Sequence, residues 1–282
     1  MKLGFCSNAF TRYPLEEAID RVADAGYAGI ELLCDRPHFW PPEEPAERAQ
    51  QLASRLRAAG IAASNINANT AVGAYGIAIP VNVFGPSLAS AEEGTRRYRI
   101  AHVRAAIDLA AVTGAPCVSI TSGAPESDHP PEAGRSQFLR SLDELLRHAE
   151  VRDVKIGIET EPGLLLERSD ELARFVDEVG HPLLGFNFDV GHAVVMGEDP
   201  AAVIAEHGHR IWHLHLEDIA AGKHFHRVPG EGDVDFGAIA RALRQVGFRN
   251  FASVEVYAHK RDPDGAARQA FAVLGPLFDR LR

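Results

Sequence analysis

The sequence predicts an α/β protein that folds as a single (β/α)8 TIM barrel over residues 1–282. Three observations favour this fold class: short apolar runs alternate with longer helical segments, glycines follow many of those segments, and the length suits one barrel. No linker or low-complexity tract divides the chain, which indicates one domain.

The predicted strands are short runs rich in apolar residues, separated by turn signals and helical segments. They are Leu3–Cys6, Gly29–Leu33, Ala62–Asn67, Cys117–Thr121, Lys155–Glu159, Leu184–Phe188, Ile211–Leu216 and Ala252–Val256. Because a helical segment separates each strand from the next, we expect the strands to be parallel.

The helical segments repeat apolar residues every three or four positions, which is the spacing of one helix face. They are predicted at about 15–25, 43–59, 93–113, 136–150, 169–179, 199–207, 235–246 and 264–281. Glycines that tolerate the left-handed backbone ending a helix follow five of them, at Gly26, Gly60, Gly114, Gly180 and Gly247.

Composition excludes several classes of protein. The formal net charge of −10 argues against binding to duplex DNA, since proteins that do so usually carry a basic face. Cys6, Cys34 and Cys117 are scattered without a CxxC spacing, which is typical of reduced, buried cysteines in a cytoplasmic protein. No signal peptide and no run of about 18 apolar residues is found, so we expect no membrane span.

Four of the predicted strands carry a metal-binding residue at or just past their ends. These residues are Glu159, Asp189, His215 and Glu255. The carboxyl ends of barrel strands meet at one mouth. A structural ion pair would explain one buried carboxylate, but matching positions on strands five to eight indicate a shared divalent cation. Three carboxylates and one imidazole favour Mn²⁺ first, with Mg²⁺, Co²⁺ or Zn²⁺ as alternatives.

His213 competes with His215 for the ligand position. The two residues lie two apart on one strand and share a face if the strand is regular. His215 is nearer the strand end and is the predicted ligand, which leaves His213 as a buried hydrogen-bonding residue.

Other polar residues surround these ligands. Glu217 and Asp218 follow the seventh strand and are expected to orient ligands. Glu161 reaches the same mouth or else caps a helix, and the sequence leaves both interpretations open. His192 stands three residues after Asp189.

Two strand-to-helix loops are long, and such loops commonly shape the pocket of a barrel. Residues 34–42 include His38, Phe39 and Trp40, and residues 68–92 include Asn69, Tyr75, Asn82 and Phe84. The alternative is that Trp40 and Phe84 only pin the loops to the barrel rim.

The loop after the seventh strand, residues 224–236, is punctuated by proline and glycine and contains His224, His226 and Arg227. Arg227 is predicted to hold a substrate hydroxyl or phosphate. The alternative is an ordered loop in which Arg227 pairs with Glu231.

The sequence resembles the xylose isomerase-like TIM-barrel superfamily, in particular its sugar phosphate isomerase/epimerase branch. The motifs that carry the resemblance are Ile-Gly-Ile-Glu-Thr-Glu-Pro-Gly (156–163), Phe-Asp-Val-Gly-His-Ala (188–193), His-Leu-His-Leu-Glu-Asp (213–218), Val-Pro-Gly-Glu-Gly-Asp-Val-Asp-Phe (228–236) and Val-Glu-Val (254–256). The resemblance covers nearly the whole chain and is weak for substrate, because members catalyse several reactions.

The resemblance implies roles for these residues. Glu159, Asp189, His215 and Glu255 take the metal positions, and Glu159 with Glu255 forms the acid/base pair of the similar ketose epimerases. By the same resemblance, His192 and Arg227 take substrate-contact positions. Glu161, Asn67 and Trp40 are further expected substrate contacts, on their positions in the sequence. The implied reaction is isomerisation or epimerisation of a small carbohydrate through an enediolate that the cation stabilises.

Three rival functions follow from the same barrel. The first is a dehydratase or lyase acting on a keto-sugar or inosose, because the same enolate can expel a β-leaving group. An apurinic endonuclease is disfavoured, since that branch carries extra histidines on strands 3 and 4, where this chain reads Asn65-Ile66-Asn67 and Ile120-Thr121-Ser122. A non-catalytic sugar-binding barrel is disfavoured because both glutamates are present. Barrels of this type often form homodimers, although no segment marks an interface here.

Overall fold

A computed structural model of the protein describes residues 1–76 and 83–278. Within them, eight parallel strands form a closed barrel in chain order, in which the first strand pairs with the last. The predicted (β/α)8 barrel is therefore confirmed. Asn82 and the last three residues of the predicted final helix lie outside the described residues.

The strands agree with the predicted ones to within two residues at each end. They are β1 (Lys2–Cys6), β2 (Gly29–Leu33), β3 (Ala62–Asn67), β4 (Cys117–Thr121), β5 (Lys155–Glu159), β6 (Leu184–Asp189), β7 (Ile211–Leu216) and β8 (Phe251–Val254). Glu255 stands one residue past β8, but its backbone N–H still donates to the carbonyl of Leu216 on β7 at 3.2 Å. Its side chain is therefore held at the barrel mouth.

The described helices surround the barrel. They are α1 (Leu15–Asp24), α2 (Arg48–Ala59), α3 (Glu93–Thr113), α4 (Pro131–Arg152), α5 (Ser169–Val179), α6 (Val190–Val195), α7 (Pro200–His207), α8 (Phe236–Gln245) and α9 (Pro263–Phe278). No helix in the described part of the chain is both long and apolar enough to cross a membrane.

Three helix predictions need correction. Helix α4 begins at Pro131, five residues before the predicted start, because proline suits the first helical position. Helix α2 begins at Arg48 instead of residue 43, because Pro41 and Pro42 lie in a separate 3₁₀ turn. Helix α6 was not predicted; its first turn is capped by the Asp189 side chain, which accepts from the His192 backbone N–H at 2.7 Å.

Apolar strand residues pack with the helices, whereas the centre of the barrel is polar. Ser64 on β3 and Ser253 on β8 are hydrogen-bonded across the barrel at 3.0 Å, and both are fully buried. The backbone of Gly4 passes so close to both hydroxyls that an added Cβ would lie 2.8 and 2.9 Å from them. This packed polar layer lies in the barrel interior beneath the residues at the mouth.

The loop after β3 is anchored by Arg99 of α3, the largest fully buried side chain among the described residues. Its guanidinium donates to the carbonyls of Ala68, Asn69 and Thr70 and to Nδ1 of His102. Burial lowers the pKa of Arg99 to about 10, so the group remains charged at neutral pH. Backbone carbonyls are thus the main partners of this buried cation.

Candidate metal centre and active site

The structure brings Glu159, Asp189, His215 and Glu255 together at the carboxyl end of the barrel. All four are buried, and one ligand atom from each lies within 4.8 Å of those of the other three. His215 Nδ1 faces the carboxylates, at 3.0 Å from Glu159 Oε2, 3.6 Å from Asp189 Oδ2 and 3.5 Å from Glu255 Oε2. A single cation would contact all four side chains from a point between them.

The chemistry of this cluster fits a divalent cation. Asp189 Oδ2 is buried and has no hydrogen-bond partner, although leaving a buried carboxylate oxygen unpaired is costly. Burial raises the pKa of Glu255 to about 8, and the carboxylates of Glu159 and Asp189 contribute to the increase. The three carboxylates and one imidazole of the cluster are hard donors suited to such an ion.

His213 points away from this cluster. Its Nε2 lies 2.9 Å from Oε2 of Glu31, a fully buried residue of β2, while His215 Nε2 lies 2.8 Å from Oε1 of the same carboxylate. Both separations are hydrogen-bond distances, so a hydrogen on each ring nitrogen satisfies the Glu31 carboxylate. Sequence reasoning did not single out Glu31, although a lone acidic residue within the apolar strand Gly-Ile-Glu-Leu-Leu was a usable signal.

Amide side chains hold the two glutamates in place. Glu159 Oε2 accepts from Asn69 Nδ2 at 2.9 Å. Glu255 Oε1 accepts from Asn8 Nδ2 at 2.9 Å and from Asn67 Nδ2 at 3.1 Å. In Glu255 this leaves Oε2 to face His215 in the ligand cluster. In Glu159 the same Oε2 both accepts from the amide and faces His215. Asn8 was missed; its position just after β1 was the available signal.

Two histidines face the cavity with opposite character. His192 and His226 each place Nδ1 on a backbone carbonyl, at 2.9 Å from Thr160 O and 3.1 Å from Glu255 O, so that nitrogen must carry the hydrogen. Burial alone would lower the pKa of His192, but Asp189 and the neighbouring glutamates raise it to about 9. Burial lowers the pKa of His226 to about 4. At neutral pH the first ring is a cationic donor, and the second presents a bare Nε2.

Glu161 lies beside His192, with its Oε2 at 3.2 Å from His192 Nε2. Burial raises the pKa of Glu161 to about 7, with Glu159 and Asp189 adding to the increase while His192 opposes it. The Glu161 side chain thus reaches the barrel mouth, which is the first of the two interpretations that the sequence left open for this residue. A carboxyl group that titrates near neutrality can either donate to or accept from a ligand.

A cavity of about 550 Å³ opens above the ligand cluster. Five of the predicted site residues line it, namely Glu159, Glu255, His192, Glu161 and Asn67. His224, His226, Thr11, Arg36, Tyr257 and Phe84 also line it. Its size falls within the range usual for small-molecule sites, so a carbohydrate fits.

Trp40 and Arg227 are not among the described residues that line the cavity. Trp40 is 4% exposed, and its ring packs on Gly73 and lies 5.3 Å from the His102 ring, so it pins its loop to the barrel. The Arg227 backbone pairs with Asp218, and its guanidinium lies 6.0 Å from the Phe225 ring. Neither position supports the predicted substrate contact. Glu231 accepts from Gln269, and no ion pair joins it to Arg227 among the described residues, so the predicted alternative is not formed either.

The loop after β7 is tied at both ends by Asp218. Its carboxylate accepts from the backbone N–H groups of Ile219, Gly230, Gly232 and Val234 at 2.8 to 3.1 Å. Its neighbour Glu217 accepts from the backbone N–H of Gly191 at the start of α6. The pair Glu217-Asp218 therefore supports two segments that carry cavity residues.

Comparison with known proteins agrees with this geometry. The fructoselysine 3-epimerase of Shigella flexneri is 26% identical over 289 aligned positions, covering 99% of this chain and 100% of the relative. A solved D-tagatose 3-epimerase-like protein aligns with a TM-score of 0.81 at 22% identity, covering 100% of this chain and 98% of the other. The IolI protein with a bound zinc atom aligns with a TM-score of 0.80 at 19% identity, covering 100% of this chain and 99% of the other. The family model described as xylose isomerase-like TIM barrel matches residues 19–277, so the chain belongs to that family.

Proposed function

We propose that the protein is a divalent-metal-dependent sugar isomerase or epimerase that acts on a keto-sugar through an enediolate. The observation that carries the proposal is the pair Glu159 and Glu255, which both line the cavity and both contribute to the ligand cluster. A fructoselysine 3-epimerase related over its full length supports sugar epimerisation. The donor set supports Mn²⁺ first, and the zinc bound in the IolI protein supports a divalent ion in such a barrel.

The mechanism needs two positioned carboxylates and a polarised carbonyl. When bound, a divalent cation polarises the substrate carbonyl and stabilises the negative charge that develops on its oxygen. One glutamate removes the proton from the carbon next to the carbonyl. Return of a proton by the other glutamate to the opposite face inverts that carbon. Protonation of the former carbonyl carbon instead moves the carbonyl, provided that the proton of the neighbouring hydroxyl passes to the former carbonyl oxygen.

The remaining cavity groups suit a polyhydroxylated substrate. In His192 and His226 a backbone carbonyl occupies Nδ1, and Nε2 remains available to a substrate hydroxyl. Glu161 and Asn67 add further polar contacts along the same wall. A substrate hydroxyl both donates and accepts, so alternating donors and acceptors orient it.

Hydrogen exchange at carbon tests the proposal. Purified protein loaded with Mn²⁺ is incubated in D₂O with ketoses, 3-keto sugars and inososes, and the products are followed by NMR and chromatography. We expect deuterium at the carbon next to the carbonyl together with an epimer or isomer. Glu159→Gln and Glu255→Gln should each reduce turnover by about 10²–10⁴-fold, the usual contribution of acid/base catalysis.

Control and outcomes separate the candidate reactions. Glu144→Gln, a surface change between α3 and α4, should leave turnover unchanged. Loss of water from the substrate, detected by mass, would favour the dehydratase. Wild-type protein that exchanges no carbon-bound hydrogen with any of these sugars would contradict the proposal, as would full activity in either glutamine variant.

A further inference from the structure

Glu31 is a carboxylate in the middle of the barrel, with no exposed surface and donors on every side. Its Oε2 faces His213 Nε2 at 2.9 Å, and its Oε1 faces His215 Nε2 at 2.8 Å. Oε1 also accepts from the side-chain amides of Asn67 at 2.9 Å and Asn65 at 3.2 Å. Burying an unpaired carboxylate costs free energy. The number of donors around Glu31 therefore indicates a role beyond filling space.

The contact with Glu31 determines which nitrogen of His215 faces the ligand cluster. A carboxylate oxygen at 2.8 Å requires a hydrogen on Nε2. In a neutral imidazole the other nitrogen then carries the lone pair, and here Nδ1 is directed at Glu159, Asp189 and Glu255. Histidines that bind metal ions commonly donate their second ring N–H to a carboxylate, which fixes both tautomer and ring orientation.

His213 holds the carboxylate itself in position. It occupies Oε2 while His215 occupies Oε1, so the plane of the Glu31 carboxylate cannot rotate without breaking one of two buried hydrogen bonds. Both rings belong to β7, whereas Glu31 belongs to β2, and these strands are not neighbours in the barrel. The contact therefore fixes a distance across the barrel interior.

The same carboxylate is linked to a second ligand. Asn67 Nδ2 lies 2.9 Å from Glu31 Oε1 and 3.1 Å from Glu255 Oε1. One amide group thus joins the buried carboxylate to the glutamate that follows β8. A change at Glu31 reaches two of the four ligands.

We propose that Glu31 is a positioning residue that presents His215 to a divalent cation through Nδ1 and thereby sets the affinity of the site. This inference rests on the proposed metal centre. It assigns Glu31 no contact with substrate or ion, and it explains why two histidines two residues apart on β7 have different tasks. His213 fixes the carboxylate, and the carboxylate fixes His215.

Metal titration of the full-length protein tests the role. Glu31→Gln keeps the shape of the side chain but offers one oxygen and one NH₂ group, so it can accept from only one of the two rings. We expect Mn²⁺ to bind this variant about 10–100-fold more weakly in calorimetric titration, the usual cost of losing such a partner. Ser64→Ala breaks another buried hydrogen bond of the barrel interior and should leave Mn²⁺ affinity unchanged.

Nitrogen NMR of histidine-labelled protein gives a second readout, which reports directly which ring nitrogen binds the ion. With spin-active Cd²⁺ bound, we expect metal coupling at His215 Nδ1 and a hydrogen retained on Nε2, with the signal assigned by comparison with His213→Gln. Coupling at Nε2 would overturn the inference. Equal Mn²⁺ affinity of folded Glu31→Gln and wild type would overturn it as well.

The two proposals fail in distinguishable ways. If wild-type protein binds neither Mn²⁺ nor Cd²⁺, the metal centre is absent and both proposals are lost. If wild type binds one of these ions at the four ligands and Glu31→Gln binds it equally well, only the positioning role is lost.

Discussion

Arg99→Met removes the buried cation that anchors the loop after β3. The carbonyls of Ala68, Asn69 and Thr70 lose a charged donor. A buried polar group left without its partner costs about 1–3 kcal/mol. Two factors limit the loss: methionine retains much of the apolar stem, and water can enter the loop to bond the carbonyls. We therefore expect the free energy of unfolding to fall by about 3–5 kcal/mol in total, which is at the high end for one substitution.

Urea denaturation followed by fluorescence and circular dichroism measures this loss. Arg97→Met is the matched control, because Arg97 lies two residues away on α3 and pairs with Glu144 at the surface. An exposed ion pair contributes about 0–1 kcal/mol, so the control should lose no more than that. An unfolding free energy for Arg99→Met within about 1 kcal/mol of wild type would refute the view that this guanidinium satisfies the loop.

Two further predictions concern the metal centre. Without metal, burial raises the pKa of Glu255 to about 8, and carboxylates raise that of His192 to about 9 against the effect of burial. Both groups bind their protons more tightly in the folded protein, so in chelator the melting temperature should fall as pH rises from about 7 to 9. Added Mn²⁺ should raise the melting temperature most at the upper end of this pH range. A melting temperature that does not change with pH would contradict this. Gly191→Ala places a methyl group against the Glu217 carboxylate, next to Asp189. Calorimetry should show that this variant binds Mn²⁺ about tenfold or more weakly than wild type. An unchanged Mn²⁺ affinity would contradict the prediction.

The barrel was predictable because its signals are local. Strand length, helical spacing and terminal glycines are read within a few residues, and the eight strands were placed to within two residues at each end. Helix α6 was missed because it is only six residues long and is capped by Asp189, a residue already assigned to metal binding. The predicted start of helix α4 was too late, because the prolines before residue 132 are typical of a loop unless Pro131 is placed at the first helical position.

The ligand cluster was predictable because barrel topology brings strand ends together, whatever their separation along the chain. The role of Glu31 was not, because its partners on β7 are 182 and 184 residues away. The substrate contact predicted for Trp40 rested on its position in a long loop. Its packing against Gly73 and His102 depends on how two loops meet, which no local pattern encodes.

The carboxylate of Asp218 accepts from backbone amides near both ends of the segment between β7 and α8, those of Ile219 and Val234. Residues 222–225, including the ring of His224, lie outside these contacts and can therefore change in length or composition without displacing β7 or α8. Such a loop is a natural place for specificity to diverge among proteins that share this barrel. Transplanting residues 222–225 from a relative would be a direct way to redirect the cavity toward a different sugar.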